Sequence, residues 1–128
     1  MATTPLFIGA AFTTGDPVAI TAAITSVTDG TGATTVVTGV PSIVTGITFC
    51  ATGVTPRTLL LIYHYDGTDR NLIGYVQVDE RGFSMDEPPW TATWYNPSSG
   101  PLASGDRFDV GFFGATATVH ARALGGDL

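Results

Sequence analysis

Two apolar runs separated by a short polar turn dominate the hydropathy pattern of this chain. The run at 58–65 contains five consecutive large apolar residues, and the run at 71–78 alternates between two faces. Asp66 and Gly67 between them predict a β-hairpin, because glycine adopts the positive φ that a tight turn requires. A run that is apolar on both faces predicts a central strand covered on each side. Residues 58–79 are therefore expected to form the central hairpin of the fold.

Further short segments alternate between apolar and polar residues and are bounded by glycine, proline or aspartate. The predicted strands are 18–28, 34–38, 42–52, 58–65, 71–78, 90–95, 107–113 and 116–124. The last two are predicted to form a second hairpin around Gly114. About eight strands without helical periodicity predict an all-β fold: a single antiparallel β-sandwich, jelly-roll-like. Residues 17–128 are assigned to this domain, and residues 1–16 to an N-terminal arm or edge segment.

The composition suits a protein that packs against other molecules. Only 12% of the residues are charged, where about 25% is usual, and threonine and glycine are abundant. A plain β-sandwich explains the same bias, so both interpretations stay open. The net charge is −6 and the five basic residues are scattered arginines. This pattern argues against binding to nucleic acid phosphates and against attraction to anionic membranes.

The chain carries no sign of secretion or of a disulfide framework. Cys50 is the only cysteine, which excludes an intramolecular disulfide. Its apolar neighbours predict a small buried side chain rather than a reactive thiol. The N-terminus lacks the basic and apolar regions of a secretory signal, and no run approaches the ~20 apolar residues of a membrane helix. We expect a soluble product made in the cytoplasm of the producing cell.

The search for catalytic chemistry yields no catalytic, cofactor-binding or metal-ligating residue. The two histidines, His64 and His120, lie on predicted strands. His64 is expected to pack beside the turn, and His120 to face solvent or a neighbouring subunit. A small hydrolase would instead require one of them within reach of a carboxylate and a pocket. Most carboxylates lie next to glycine or proline, where aspartate is an ordinary turn residue, so neither a glycosidase pair nor a calcium site is assigned.

Apolar residues in the N-terminal segment, in the irregular 79–89 segment and just after it are candidates for an interface. Residues 1–16 hold a short apolar patch that could dock on a neighbour or form the first edge strand, and the acidic 79–89 segment is the longest irregular stretch. The tryptophans could line a sugar-binding platform, although such rings more often fill a core or an interface. The candidate interface residues are Leu6, Phe7, Ile8, Phe12, Phe83, Met85, Trp90, Trp94 and Tyr95.

Two regions of the chain carry a pattern of short motifs. One covers residues 47–79, with a strand that ends in Tyr65-Asp66-Gly67-Thr68 followed by Leu72-Ile73. The other covers residues 102–128 and ends in Gly125-Gly126-Asp127-Leu128. Together these regions resemble small structural proteins of tailed bacteriophages and related particles. The resemblance implies a virion component, such as a head decoration (cement) protein or a spike, fibre or tail part. It implies no catalytic residues.

The expected function is accordingly that of a non-enzymatic virion protein that oligomerises, as a trimer or dimer, and binds the particle surface. Its expected partners are the major capsid protein or other virion proteins, with neither nucleic acid nor membrane involved. The alternative is a tail, spike or fibre component that binds a glycan or receptor, which requires Trp90 or Trp94 to be exposed in a groove. A small hydrolase is the third hypothesis.

Overall fold

The computed structural model describes residues 10–11, 17–38, 42–97 and 105–127. The described residues contain strands and no helix, as the alternation of apolar and polar residues predicts. The strands are β1 (Ala10–Ala11), β2 (Val18–Ile20), β3 (Thr34–Thr38), β4 (Ser42–Ala51), β5 (Thr58–Tyr65), β6 (Arg70–Val78), β7 (Thr91–Tyr95), β8 (Arg107–Phe113) and β9 (Val119–Asp127). In the described part of the chain, no helix is available that could span a bilayer.

The strands form two antiparallel sheets with the order of a jelly roll. In the first sheet, β1 and β2 both pair with the same edge of β9, and β9 is followed by β4 and β7. The second sheet has the order β3-β8-β5-β6. The first strands of the chain, β1 and β2, therefore pair with the last strand, β9. The pairs β3–β8, β4–β7 and β5–β6 follow, and the strands of each pair lie between those of the previous pair in the sequence. This arrangement confirms the predicted all-β sandwich.

The β5–β6 hairpin is the innermost pair, and it forms as predicted along the whole length of both strands. In its turn the Asp66 N–H donates to the Asp69 carbonyl at 3.1 Å, and Gly67 has a φ of 96°. The Asp66 carboxylate accepts hydrogen bonds from the N–H groups of Thr68 and Asp69. Glycine and aspartate thus each supply what the turn needs: a positive φ and a local acceptor.

Strand β5 is covered on both faces, as its continuous apolar run predicts. Leu60 and Ile62 point into the main core between the two sheets. Leu61 and Tyr63 point to the opposite side, where they form a second cluster with Ile24. The second cluster places a layer of buried side chains on the outer face of the β5-containing sheet.

That outer layer comes from the segment predicted as one strand over 18–28, and the prediction is wrong beyond Ile20. After Ile20, which is buried in the main core, the chain leaves the first sheet and crosses to the second. There the Ile24 side chain packs on the outer face, and the Tyr63 hydroxyl donates to the Val27 carbonyl at 2.7 Å. The regularly spaced isoleucines are both buried, but in different clusters.

The predicted second hairpin around Gly114 is also wrong. Gly114 has a φ of 98° and does begin a turn. However, β8 pairs with β3 and β5, whereas β9 pairs with β1, β2 and β4 in the other sheet. The connection therefore crosses between sheets, and the last strand begins at Val119 rather than at residue 116. The alternation of apolar and polar residues specifies which face of a strand is buried, but it does not specify with which other strand that strand pairs.

The Asp66 turn makes stability dependent on pH in a defined direction. Hydrogen bonds from the backbone N–H groups of Asp69 and Thr68 lower the pKa of the Asp66 carboxyl from its usual 3.8. A carboxyl with a lower pKa in the folded state stabilises the protein above its unfolded pKa, and this stabilisation is lost as the pH falls through the folded value. Asp66→Asn is therefore expected to be less stable than the wild type near neutral pH, with a difference that shrinks in acid.

Urea unfolding of both proteins at a series of pH values between about 6 and 2 measures this difference. The other ionisable groups are common to the two proteins, so their contributions cancel. A difference that stays constant over the whole range would contradict the role assigned to the carboxylate.

Candidate functional site

The loop between β6 and β7 is anchored to the sandwich where it leaves β6. Thr55 and Arg81 exchange two backbone hydrogen bonds, of 2.9 and 3.0 Å. The Thr55 hydroxyl, which is fully buried, donates to the Asp79 carbonyl at 2.7 Å. These bonds satisfy the polar groups that the loop would otherwise leave unpaired against the core. They hold the start of the loop in place as it leaves β6.

Beyond this anchor, a compact turn displays two apolar side chains. The Glu87 carboxylate accepts a hydrogen bond from the Gly82 N–H at 2.8 Å. The Ser84 N–H donates to the Glu87 carbonyl at 2.9 Å, and the Glu87 N–H donates to the Ser84 hydroxyl at 3.1 Å. The residues between them, Phe83 and Met85, project outward, and Met85 is fully exposed. The turn therefore holds these side chains in a defined place without burying them.

Most of the exposed large apolar side chains of the described residues lie on this one stretch of chain. We call this stretch the β6–β7 flank, since β6 and β7 are the edge strands of the two sheets and contact each other along one side of the sandwich. Its members are Leu72, Tyr75, Phe83, Met85 and Tyr95. These exposed side chains do not share one face: Leu72 and Tyr75 lie on the outer face of the second sheet, and Tyr95 lies on that of the first. Three of them, Phe83, Met85 and Tyr95, are candidate interface residues from the sequence, and all three are exposed.

The two tryptophans that lie near these residues in sequence are buried instead of exposed. Trp90 and Trp94 are only 4% and 8% exposed and belong to the main core. The Trp90 ring lies 6.4 Å from the Phe49 ring, and Trp94 meets Phe108 edge-on at 6.2 Å. Of the two interpretations of these rings, core or interface, the structure places both in the core, because they turn the large apolar area of the indole toward the space between the sheets. The exposed tryptophan groove required by the glycan hypothesis is not formed by either residue.

The remaining interface candidates are in the N-terminal segment. Leu6, Phe7, Ile8 and Phe12 lie outside the described residues. Of residues 1–16 the structure describes Ala10 and Ala11, which pair with Asp127 and Gly126 at the edge of the first sheet.

The two histidines lie on different sheets and in different surroundings. His64 Nε2 lies 3.1 Å from Asp106 Oδ2, and its ring packs against Phe108 at 5.5 Å. The carboxylate that a hydrolase would require is thus present. Among the described residues, however, no hydroxyl or thiol forms a hydrogen bond with this histidine. Within the described ranges, a histidine–carboxylate pair is therefore formed without a hydroxyl or thiol bonded to it.

His120 lies opposite Cys50 in the β4–β9 pairing, on the outer face of the first sheet. A shallow depression of about 260 Å³ opens there, and Arg122 and Pro17 also line it. The prediction that Cys50 is buried is wrong: its side chain is exposed. It alternates with Phe49 and Ala51, which point into the core, so strand geometry directs it to solvent.

The most strongly constrained polar group among the described residues is Asp109, in the middle of β8. Its side chain is fully buried. Its Oδ2 atom accepts hydrogen bonds from Arg70 Nε at 2.7 Å and Arg107 Nε at 3.2 Å, and its Oδ1 atom accepts one from the Thr35 hydroxyl at 2.8 Å. The Arg107 guanidinium also stacks over the Tyr65 ring at 4.0 Å. We call these five residues the arginine clamp.

Sequence reasoning missed the arginine clamp. Its members come from four strands, β3, β5, β6 and β8, which pairing brings side by side on the outer face of the second sheet. One signal was present in the sequence: Asp109 alternates with Phe108 and Val110, so the position faces away from the core. What the pattern does not reveal is that the 21–33 segment covers part of that outer face and makes it a second interior.

The described residues contain no group of three or more histidine, cysteine or acidic side chains placed to hold a metal ion. Comparison of the chain with family models, curated proteins and solved structures found no match. The resemblance to bacteriophage structural proteins therefore remains a prediction from the sequence.

Proposed function

We propose that this chain is a non-enzymatic structural protein that docks on the surface of a larger particle through its β6–β7 flank. The observation that supports this proposal is the pinned turn over 82–87, which displays Phe83 and Met85 to solvent. Exposed apolar side chains on an ordered turn bind at a lower entropic cost than side chains on a flexible loop, because less freedom is lost on binding.

The energetics favour docking in many copies rather than a single tight contact. Burial of a phenylalanine or methionine side chain contributes about 1.5–3 kcal/mol. Two such residues give a modest affinity for one copy. When many copies bind a repetitive surface, and contact each other as a trimer or dimer, the individual contributions combine through multivalency. The charge-poor composition suits such contacts, since few charged groups must be desolvated.

The particle that best fits this function is a virion, and the role is that of a capsid decoration or cement protein. This part of the proposal rests on the resemblance of the central hairpin and the Gly-Gly-Asp-Leu tail to bacteriophage structural proteins. The jelly roll is compatible with it, because capsid proteins are among the proteins that use this architecture. The partners would be the major capsid protein or another virion protein.

Replacement of the two displayed side chains tests the docking surface. The double variant Phe83→Ser/Met85→Ser is expected to fold with an unchanged Tm, because neither side chain is buried in the chain itself. Its incorporation into particles, purified on density gradients from cells that produce the chain, is expected to fall at least about tenfold. Quantitative mass spectrometry of head and tail fractions measures the incorporation and locates the chain in the particle.

A matched control removes exposed apolar side chains from outside the flank. Val54 and Phe113 are both exposed, and Val54→Ser/Phe113→Ser is expected to be incorporated like the wild type. Equal incorporation of the flank variant and the wild type would contradict docking through the flank. Absence of the wild-type chain from every particle fraction would contradict the virion role itself.

A further inference from the structure

The arginine clamp has an imbalance of charge at its centre. Two guanidinium groups, of Arg70 and Arg107, share one carboxylate, that of Asp109. Both oxygens of the carboxylate are in use, because the other one accepts a hydrogen bond from the Thr35 hydroxyl. One positive charge is therefore left without a direct counter-charge within the clamp.

Three carboxylates of the neighbouring turns are engaged elsewhere. Asp29 accepts hydrogen bonds from the Thr31 N–H and hydroxyl. Asp66 accepts two backbone N–H groups of its own turn, and Asp106 pairs with His64. Among the described residues, none of these carboxylates forms an ion pair with Arg70 or Arg107. The pKa of the Asp29 carboxyl is lowered mainly by its hydrogen bonds with Thr31 and to a smaller degree by the charge of Arg70. The surplus charge of the clamp is therefore offset only in part, because among the described residues Asp109 alone forms an ion pair with either arginine.

The donors that remain are the terminal Nη groups of the two arginines. Each arginine contacts Asp109 through Nε, and within the described part of the chain neither forms a hydrogen bond through Nη. The side chains of Arg70 and Arg107 are 27% and 31% exposed, so they are accessible from outside. Because both bind the same oxygen atom, Asp109 Oδ2, their guanidinium groups lie side by side.

The two guanidiniums are also held in place before any ligand arrives. Asp109 fixes the Nε edge of each, and the Tyr65 ring supports the face of Arg107 at 4.0 Å. The Tyr65 hydroxyl donates in turn to the Gly67 carbonyl at 3.0 Å. Guanidinium groups whose freedom is already restricted bind oxyanions with a smaller loss of entropy, and their planar donor forks match carboxylate and phosphate oxygens.

We propose that the arginine clamp is a binding site for an oxyanion, a phosphate or carboxylate group held by the Nη donors of Arg70 and Arg107. Asp109 then acts as a positioning residue that orients the two guanidiniums and does not contact the ligand. This inference is independent of the docking function proposed above, since the clamp and the 82–87 turn share no residue.

The test is a titration of the protein with sodium phosphate and, separately, with citrate, at constant ionic strength maintained by sodium chloride. The ¹H–¹⁵N signals of the arginine Nε groups report on each arginine individually. The signals of Arg70 and Arg107 are expected to shift together and to saturate, while those of Arg57 and Arg122 serve as internal controls. Saturation with phosphate alone, with citrate alone or with both identifies the ligand as phosphate-like, carboxylate-like or either.

Two clamp variants and one control decide the outcome. Arg107→Gln removes the charge, and Arg107→Lys keeps the charge but removes the planar fork; each is expected to weaken binding about tenfold or more. Arg122 lies on the other sheet, so the Arg122→Gln variant is expected to bind like the wild type. Shifts that never saturate, that are equal at Arg57, or that are unchanged in a folded Arg107→Lys variant would overturn the proposal.

Discussion

Asp109→Asn is expected to lower the free energy of unfolding by about 3 kcal/mol, the lower end of the range for breaking a buried ion pair from one side. The substitution leaves Arg70 and Arg107 facing a neutral amide at a site where the wild-type side chain is fully buried. Both arginines are partly exposed, and water compensates them in part, which places the expected loss at the lower end. Urea unfolding at neutral pH, followed by circular dichroism, measures it.

The control for this substitution is Asp86→Asn, which removes a carboxylate of the exposed 82–87 turn. It is expected to change the unfolding free energy by less than about 0.5 kcal/mol. Thr35→Val adds a further check, because Thr35 donates to the second oxygen of Asp109. The effects of Thr35→Val and Asp109→Asn are expected to be non-additive, since the two residues share a hydrogen bond. A small loss in Asp109→Asn would show that the clamp contributes little to stability, and additive effects would show that Thr35 and Asp109 are not energetically coupled.

Trp94→Ala is expected to lower the unfolding free energy by about 3–5 kcal/mol, the usual range for truncation of a buried aromatic side chain. Trp94 is buried in the main core, where it meets Phe108 and lies against the backbone of Gly74 on β6. The substitution removes a contact between the edge strands of the two sheets. Thermal and urea unfolding measure the loss, and Tyr95→Ala, at an exposed position next to it, is the control.

The contact with Gly74 supplies a sharper test of the same packing. A Cβ atom at position 74 would lie 2.5 Å from Trp94 Nε1, so Gly74→Ala is expected to destabilise the wild type by about 1–3 kcal/mol through overpacking. In the Trp94→Ala background the indole is gone, and the same substitution is expected to have a much smaller effect. A double-mutant cycle of the four proteins measures the difference. Additivity would mean that Trp94 does not pack over Gly74.

The predicted interface residues divide according to how much their environment depends on distant parts of the chain. Phe83 and Met85 lie in an irregular, acidic stretch, where exposure follows from local sequence, and they are exposed. Trp90 and Trp94 share one face of the alternating 90–95 segment, and the local pattern left open whether that face meets the core or an interface. Packing against the opposite sheet places it in the core. The buried Asp109 was missed for the same reason, because its partners come from strands remote in sequence.

The sequence by itself determined the all-β class, the central hairpin and its turn, because these follow from period-two alternation and from the backbone preferences of Asp66 and Gly67. These are local properties, and each is encoded within a few residues. The sequence also determined that β5 is covered on both faces, since no other arrangement buries five consecutive apolar side chains.

Only the tertiary structure decided which strands pair across the sandwich and what covers the outer face of β5. Antiparallel pairing uses backbone hydrogen bonds that are the same for every residue, so a strand that follows a turn can pair with its predecessor or cross to the other sheet. The chain crosses after Gly114 and again beyond Ile20. Together with the other changes of sheet, which occur at every connection except β1–β2 and β5–β6, these crossings produce the jelly roll. The crossing beyond Ile20 also provides the cover on the sheet face that carries the arginine clamp.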